Sequence, residues 1–307
     1  MTTGGRPMSY AYKRHQLTED DRERMVDCVI VASMSGGKDS GAMSLWFTEQ
    51  GIEHDRVFSD TGWEHPNTIA YLDGPLREKV GTITRVAGER GMAELSRHKG
   101  MFPSRLRRFC TEELKIKPIK RHLDTYDCEV VNAVGIRAAE SKARAKMPRW
   151  EPWPAGDCDV WRPLIAWTEQ DVIDIHAEHG LVPNPLYLRG AKRVGCWPCI
   201  FSRKEEIAMV AEQTPWRIDE IRQLEKDVGD VAEKRYAKRG ETFESLGYNR
   251  PTMFHDRGRR MTPIPIDEVV AWSKTARGGR QLMLLNVEPP GCVRWGLCES
   301  SDLSEAP

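Results

Sequence analysis

Apolar residues recur along this chain in two alternating rhythms. Compact runs over 28–34, 55–59, 82–87 and 129–135 read as buried strands. Between them, over 40–50, 66–80 and 111–124, apolar positions return every three to four residues, the spacing of one helix face. Strand–helix alternation of this kind predicts an α/β fold, a mostly parallel twisted sheet with helices on both faces. Ligands are then expected at the carboxyl ends of the strands.

The rhythm changes after Arg137. Residues 138–158 are charged and then rich in Pro and Trp, which predicts a mobile loop. Helices are expected at 168–179, capped by Thr168, and at 203–212, 215–239 and 266–274, with a short one at 19–26 behind Thr18. The segment "GLVPNPLY" stops regular structure. This gives three expected regions: an N-terminal extension (1–27), a nucleotide-binding α/β domain (28–165) and a helical to irregular cysteine-bearing region (166–307).

The first strand runs into "SGGKDS", and a helical pattern resumes directly after it. A strand–glycine loop–helix unit makes an anion site, because the first-turn N–H groups lack partners and the helix dipole adds positive charge. Gly36 and Gly37 let the backbone approach the anion, Lys38 brings a charge, and Ser35 and Ser40 bring hydroxyls. Asp39 is out of place beside an anion unless a divalent cation such as Mg2+ bridges it to phosphate. The spacing is neither that of the Walker loop nor that of the dinucleotide fingerprint. Farther on, "GCWPCI" places Cys196 and Cys199 on a turn, a spacing that suits one metal, one cluster or a redox pair.

"SGGKDS" resembles the PP-loop of ATP pyrophosphatases. Three further stretches resemble the phosphoadenosine phosphosulfate (PAPS) reductase family: "FSDTGWEHPNT" at 58–68, "CTEELKIKPIKRHL" from Cys110, and "VGIRAAESKAR" at 134–144. The resemblance covers about 28–210, and DNA-phosphorothioation-type sulfurtransferases belong to the same group. It implies an adenine nucleotide alpha hydrolase-like fold that binds ATP or an adenylyl sulfonucleotide. Ser35, Gly36, Gly37, Lys38, Asp39, Ser40, Asp60, Thr61, Gly62 and Arg137 would line the nucleotide site, with Lys38, Asp39 and Arg137 catalytic. Arg137 forks onto phosphate or pairs with Glu140, and Trp63 and His65 line the pocket or pack.

Family members with a [4Fe-4S] cluster carry a Cys-Cys pair where this chain has Phe109-Cys110. The resemblance therefore implies Cys110, Cys196 and Cys199 as ligands, with Cys298 or Cys292 as the fourth, or no protein residue at all. Zinc is the rival metal, since four thiolates suit it too. Reductases of the family attack with a cysteine in a Glu-Cys-Gly-Leu-His segment. Here the corresponding stretch reads "GLCESSDLSEAP", which counts against sulfonucleotide reduction. The favoured activity is adenylylation of a substrate with pyrophosphate release, then sulfur transfer. The alternatives are sulfite release and a non-catalytic nucleotide-binding subunit with a structural cluster or zinc.

The 46 basic and 46 acidic residues cancel, so overall charge selects no partner. Local charge does. "HKGMFPSRLRRF", "RAAESKARAKMPRW" and "YLRGAKRVG" give a basic rim that suits an anionic nucleotide or a nucleic acid, DNA or tRNA. A sulfur-donor protein such as a cysteine desulfurase is a further expected partner, and a homo-oligomer is compatible with the sequence. No apolar run is long enough to span a membrane and the start is polar, which predicts a cytoplasmic protein. Eight cysteines in that reducing compartment point away from a disulfide framework, and Cys28 and Cys128 read as core filler.

Overall fold

The structure, a computed structural model, describes residues 11–256, 258, 261–275 and 295. Cys292 and Cys298 lie outside the described residues.

The strands are β1 (Val29–Met34), β2 (Asp55–Asp60), β3 (Thr84–Ala87), β4 (Val130–Val134), β5 (Trp150–Trp153) and β6 (Cys158–Trp161). They form one sheet in the order β3-β2-β1-β4-β6-β5. Every neighbouring pair is parallel except β5–β6. The chain steps from β1 to β2 on one side and reaches β4 on the other, so the strand order reverses at β1. That reversal opens a crevice beyond the carboxyl ends of β1, β2 and β4. Ser33 lies opposite Val57 of β2 and Val134 of β4, which brings residues 35, 60–61 and 135–137 to one edge.

The helices used below are α1 (Glu19–Arg24), α2 (Lys38–Glu49), α3 (Pro66–Tyr71), α4 (Met92–Lys99), α5 (Lys117–Leu123), α6 (Glu169–Glu178), α7 (Pro185–Leu188), α8 (Lys204–Gln213), α9 (Pro215–Ala237) and α10 (Ile266–Ser273). Two large apolar clusters organise them. One gathers Trp46, Phe47, Trp161, Trp167 and Ile175 between the sheet, α2 and α6. The other joins Trp63, Met92, Leu114, Trp197, Ile207, Ile221 and Leu224. It fastens α8 and α9 to the loop after β2 and to α4.

The stretch expected as a mobile loop, 138–158, instead contributes β5 and the start of β6 to the sheet edge. Pro152 removes a donor, which an edge strand tolerates. The aromatic residues then decide the outcome: Trp150 stacks on Trp161 at 5.2 Å, and Phe47 stacks on Trp161 at 5.0 Å. Beneath them lies Asp21 of α1, fully buried. It accepts from Arg149 Nε (2.8 Å) and Nη2 (2.7 Å), Trp150 Nε1 (2.8 Å), Trp161 Nε1 (3.0 Å) and the Thr18 N–H (2.9 Å). Burial pushes its carboxyl up. The bonds from Arg149, Thr18 and Trp150 outweigh that and hold it at about 2.

A second correction concerns one of the two thiols at the amino ends of the central strands. Cys128 is exposed, because it precedes β4, whereas Cys28 is half-buried and packs against the first apolar cluster as expected.

Candidate active site

β1 delivers the chain into Ser35-Gly36-Gly37, and α2 starts at Lys38. Gly36 turns the chain at φ +68°, and a Cβ there would lie 2.7 Å from Thr68 Cγ2. The two serines hold the loop in shape. Ser40 Oγ donates to the Gly37 carbonyl (3.0 Å) and accepts from the Ser35 N–H (3.2 Å), and it lies 3.2 Å from Ser35 Oγ. In this state the hydroxyls read from sequence as anion donors serve the loop itself. The backbone N–H groups of Gly36, Asp39 and Ser40 have no partner among the described residues. They form an amide-lined cup at the positive end of a twelve-residue helix.

The cup is closed from outside by residues that sequence reasoning missed. Asn184 caps α7 through the Leu186 N–H and donates from Nδ2 to the Gly36 carbonyl at 3.0 Å. Tyr187 Oη accepts from the Lys38 N–H at 3.2 Å, and Lys38 Nζ lies 4.7 Å from the Tyr187 ring centre. Lys38 Nζ also sits 3.3 Å from Glu169 at the start of α6. His176 of the same helix lies with Nε2 2.9 Å from the Lys38 carbonyl. Pairs this distant in sequence leave no local pattern, so only the fold could bring them out.

Asp39 and Arg137 were expected to face a cation and a phosphate. They meet each other, Arg137 Nε donating to Asp39 Oδ1. That contact engages one oxygen of the Asp39 carboxylate with a guanidinium. The Arg137 N–H separately donates to Glu140 at 2.9 Å, so the expected link to Glu140 is through the backbone. The Arg137 Nη groups have no protein acceptor among the described residues, which leaves them for an anion. Gly135 makes the approach feasible, since a Cβ there would stand 2.8 Å from the Asp39 carbonyl.

After β2, Asp60 accepts from the Gly62 N–H at 2.8 Å, a local turn bond rather than a helix cap. Thr61 and Trp63 point their N–H groups at buried Glu64, and Thr61 Oγ1 donates to it at 2.6 Å. Glu64 pairs with Cys196 in a short antiparallel bridge, and Thr61 Oγ1 lies 3.8 Å from Cys196 Sγ. Trp63 is packing: it is buried, bonded to the Pro198 carbonyl and covered by the Arg217 guanidinium. His65 caps α3 through the Asn67 N–H. Residues 61–68 therefore touch the cysteine turn at one end. At the other, Thr68 lies against Gly36 and Asn184.

Cys110, Cys196 and Cys199 are free thiols packed at the edge of one apolar cluster or beside it. Burial pushes the Cys110 and Cys196 thiols up, and the charge of Lys115 opposes this at both. Lys115 is itself held protonated, first by Cys196, then by Glu64, Cys199 and Cys110. The charge of one ammonium is thus coupled to all three thiols. Among the described residues no group of three His, Cys, Asp or Glu side chains has a metal-holding arrangement. In donor chemistry three neighbouring cysteines suit a cluster or zinc. The approach to them is basic, with Arg107 and Arg108 exposed and Arg108 stacked on Phe201 at 5.3 Å.

Two buried histidines make this region acid-sensitive. Burial lowers His65 and His176 to about 4; Arg189 and Arg217 add to the effect at His65. The native state refuses a proton that the unfolded chain accepts below about pH 6.5, so stability present above that pH is lost as pH falls toward 4. Urea unfolding is expected to lose about 2 kcal/mol per histidine between pH 7 and pH 5. Equal midpoints and slopes at the two pH values would refute this.

A parallel sheet with an amide cup at its switch point and a cysteine turn against the adjacent strand end defines a nucleotide-binding α/β protein of the PP-loop kind. The phosphoadenosine phosphosulfate reductase domain matches residues 29–202, and the chain belongs to that family. An uncharacterized 37.8 kDa protein of Escherichia phage 186 is 33% identical over 83% of this chain and 91% of its own length. The adenosine 5'-phosphosulfate reductase of Streptomyces coelicolor is 31% identical over 47% of this chain; the match spans only 61% of that enzyme. Among solved structures, PAPS reductase from Candida auris aligns at TM-score 0.45 and 16% identity, covering 60% of this chain and 97% of that one. The U34-tRNA thiolase NcsA of Methanococcus maripaludis, solved with its [4Fe-4S] cluster, aligns at TM-score 0.39 and 16% identity over 86% of each chain. Similarity at that level fixes neither a ligand nor a reaction for this protein.

Proposed function

We propose that this protein is a PP-loop enzyme that binds ATP or an adenylyl sulfonucleotide; with ATP it adenylylates an oxygen of its substrate, releasing pyrophosphate, and sulfide-level sulfur from a donor then displaces AMP. One observation supports the reading above all. The segment 61–68 touches the Cys196 turn through Thr61 and the anion loop through Thr68, so one short segment would link a nucleotide's phosphate chain to the thiols. The open N–H groups of Gly36, Asp39 and Ser40 would bind the phosphates. Lys38 and the Arg137 Nη groups would balance charge that builds on the leaving pyrophosphate. Asp60, Thr61 and Gly62 would border the adenosine. If Mg2+ accompanies the nucleotide, Asp39 would be its carboxylate, through the oxygen that Arg137 does not engage.

Cys110, Cys196 and Cys199 would hold a [4Fe-4S] cluster, zinc being the rival, and such a cluster supplies sulfur or electron transfer when bound. Lys115 would balance the thiolate charge there. In this reading 28–165 is the nucleotide domain and 166–307 the cysteine-bearing region. The acceptor is an anionic substrate, a small nucleotide or a DNA or tRNA strand drawn by Arg107 and Arg108. Among the described residues no helix is long and apolar enough to cross a membrane, and work in the cytoplasm beside a cysteine desulfurase fits the proposal.

Cys196→Ser is expected to cost purified protein its iron, acid-labile sulfide and brown colour, measured after anaerobic preparation. Unchanged iron would remove Cys196 from the ligand set, and stoichiometric zinc in the parent protein would favour the structural-metal reading. The reaction itself is tested by offering ATP with DNA, tRNA or a sulfonucleotide and assaying both pyrophosphate and sulfite. Pyrophosphate that depends on an acceptor supports sulfur transfer. Sulfite from adenosine phosphosulfate without pyrophosphate would replace it with a reductase, and neither product with any acceptor would leave a binding subunit.

A further inference from the structure

The PP-loop lysine does not hang free. Its ammonium lies over the Tyr187 ring at 4.7 Å and against Glu169 at 3.3 Å, while its own N–H donates to Tyr187 Oη at 3.2 Å. Tyr187 is buried, and its hydroxyl stands 3.2 Å from where a Cβ on Gly37 would be, at the lip of the amide cup. Accepting the Lys38 N–H leaves the hydroxyl's own proton unassigned, and no acceptor for it occurs among the described residues. Burial and the charge of Asp39 both push the phenol pKa upward, so that proton stays on. A neutral O–H donor, already polarised by one hydrogen bond, thus faces the place where loop and helix amides converge.

Glu169 has the opposite character. It is a carboxylate bound to the cation an anion would use, and it is one-third exposed, so its hold on Lys38 is weak enough to exchange. Asn184, one turn before Tyr187, fixes the geometry by clasping the Gly36 carbonyl. The cup is therefore completed by residues more than a hundred positions beyond the PP-loop.

We propose that Tyr187 is a phosphate-contacting residue of the cup, its hydroxyl donating to an oxygen of the bound anion, and that Glu169 is the carboxylate this anion displaces from Lys38. The inference rests on the reading of the loop as a phosphate site and deepens it. It requires opposite responses from two substitutions. Tyr187→Phe keeps the ring under Lys38 and removes the donor. Glu169→Gln keeps the side chain's shape and removes the competing charge.

The test is calorimetric titration of the full chain and of both variants with inorganic pyrophosphate and with ATP, at low and moderate salt. Tyr187→Phe should weaken both ligands about tenfold. Glu169→Gln should tighten both several-fold at low salt, with the gain shrinking as salt rises. If the parent protein binds neither ligand, the phosphate reading falls and this inference with it. If the parent binds but Tyr187→Phe binds as well or better, the hydroxyl is a plug rather than a donor and the proposal is overturned. Weaker binding by Glu169→Gln would overturn the displacement half. Should Tyr187→Phe melt early, Glu169→Gln still decides the displacement half, and the pyrophosphate affinity of Tyr187→His, which keeps a donor on the ring, decides the other: affinity near the parent's supports it and a loss like that of Tyr187→Phe refutes it.

Discussion

Lys38→Ala is expected to lower pyrophosphate release at least about 100-fold while leaving the melting temperature nearly unchanged. The lysine places its ammonium at the mouth of α2 beside the Arg137 guanidinium, and a donor aimed at charge that develops during reaction carries a factor of about 100 to 1,000. Its link to Glu169 contributes little to stability, because that carboxylate is partly solvated. Removal leaves Asn184 still holding the Gly36 carbonyl and the serines still closing the loop, so the cup survives without its charge. Steady-state release measured with ATP and a competent acceptor checks this. A variant within about threefold of the parent would show that the lysine is only a packing residue.

Asp21→Ala is expected to be the most destabilising single change far from the site, by about 3–5 kcal/mol in urea unfolding. The substitution strands two buried indole donors, on Trp150 and Trp161, and the half-buried Arg149 guanidinium, and removes the reciprocal cap of α1. The same carboxylate gives an acid signature. Its native pKa near 2 lies below the ordinary value of 3.8. The stability it contributes, about 2 kcal/mol, is thus present above pH 3.8 and lost as pH falls through 2. A loss under about 1 kcal/mol in Asp21→Ala would mean that water replaces the carboxylate, against the dry aromatic packing around it.

What could be read from the sequence followed locality. The cup was legible because each residue from Ser35 to Ser40 is specialised for one backbone or charge role between a strand and a helix. The central strands were legible because β1 and β4 are buried on both faces and so read as apolar runs. The β5–β6 edge was not, since Pro152, Pro154 and the Gly156-Asp157 turn look like loop chemistry. Only the stacking of Trp150 on Trp161 and their shared bonds to Asp21 make strands of them. Tyr187, Asn184, Glu169 and His176 were invisible for a related reason: each acts on the loop across the fold. The "NPLY" stretch that reads as a break in regular structure is a break, but one whose short helix docks on the PP-loop. Asp39 and Arg137 were individually legible as site residues. That they pair with each other depends on β4 ending beside α2, which no local pattern encodes.

The central claim is that the amide cup at the end of β1 grips a phosphate chain. Amide hydrogen exchange of the full chain with and without ATP tests it most directly. The account predicts slowed exchange strongest in two stretches distant in sequence, Gly36 to Gly41 and Asn184 to Leu188, with lesser protection at Asp60 to Gly62 and around Arg137. Exchange in both stretches that is unaffected by saturating nucleotide, with protection appearing elsewhere, would contradict it.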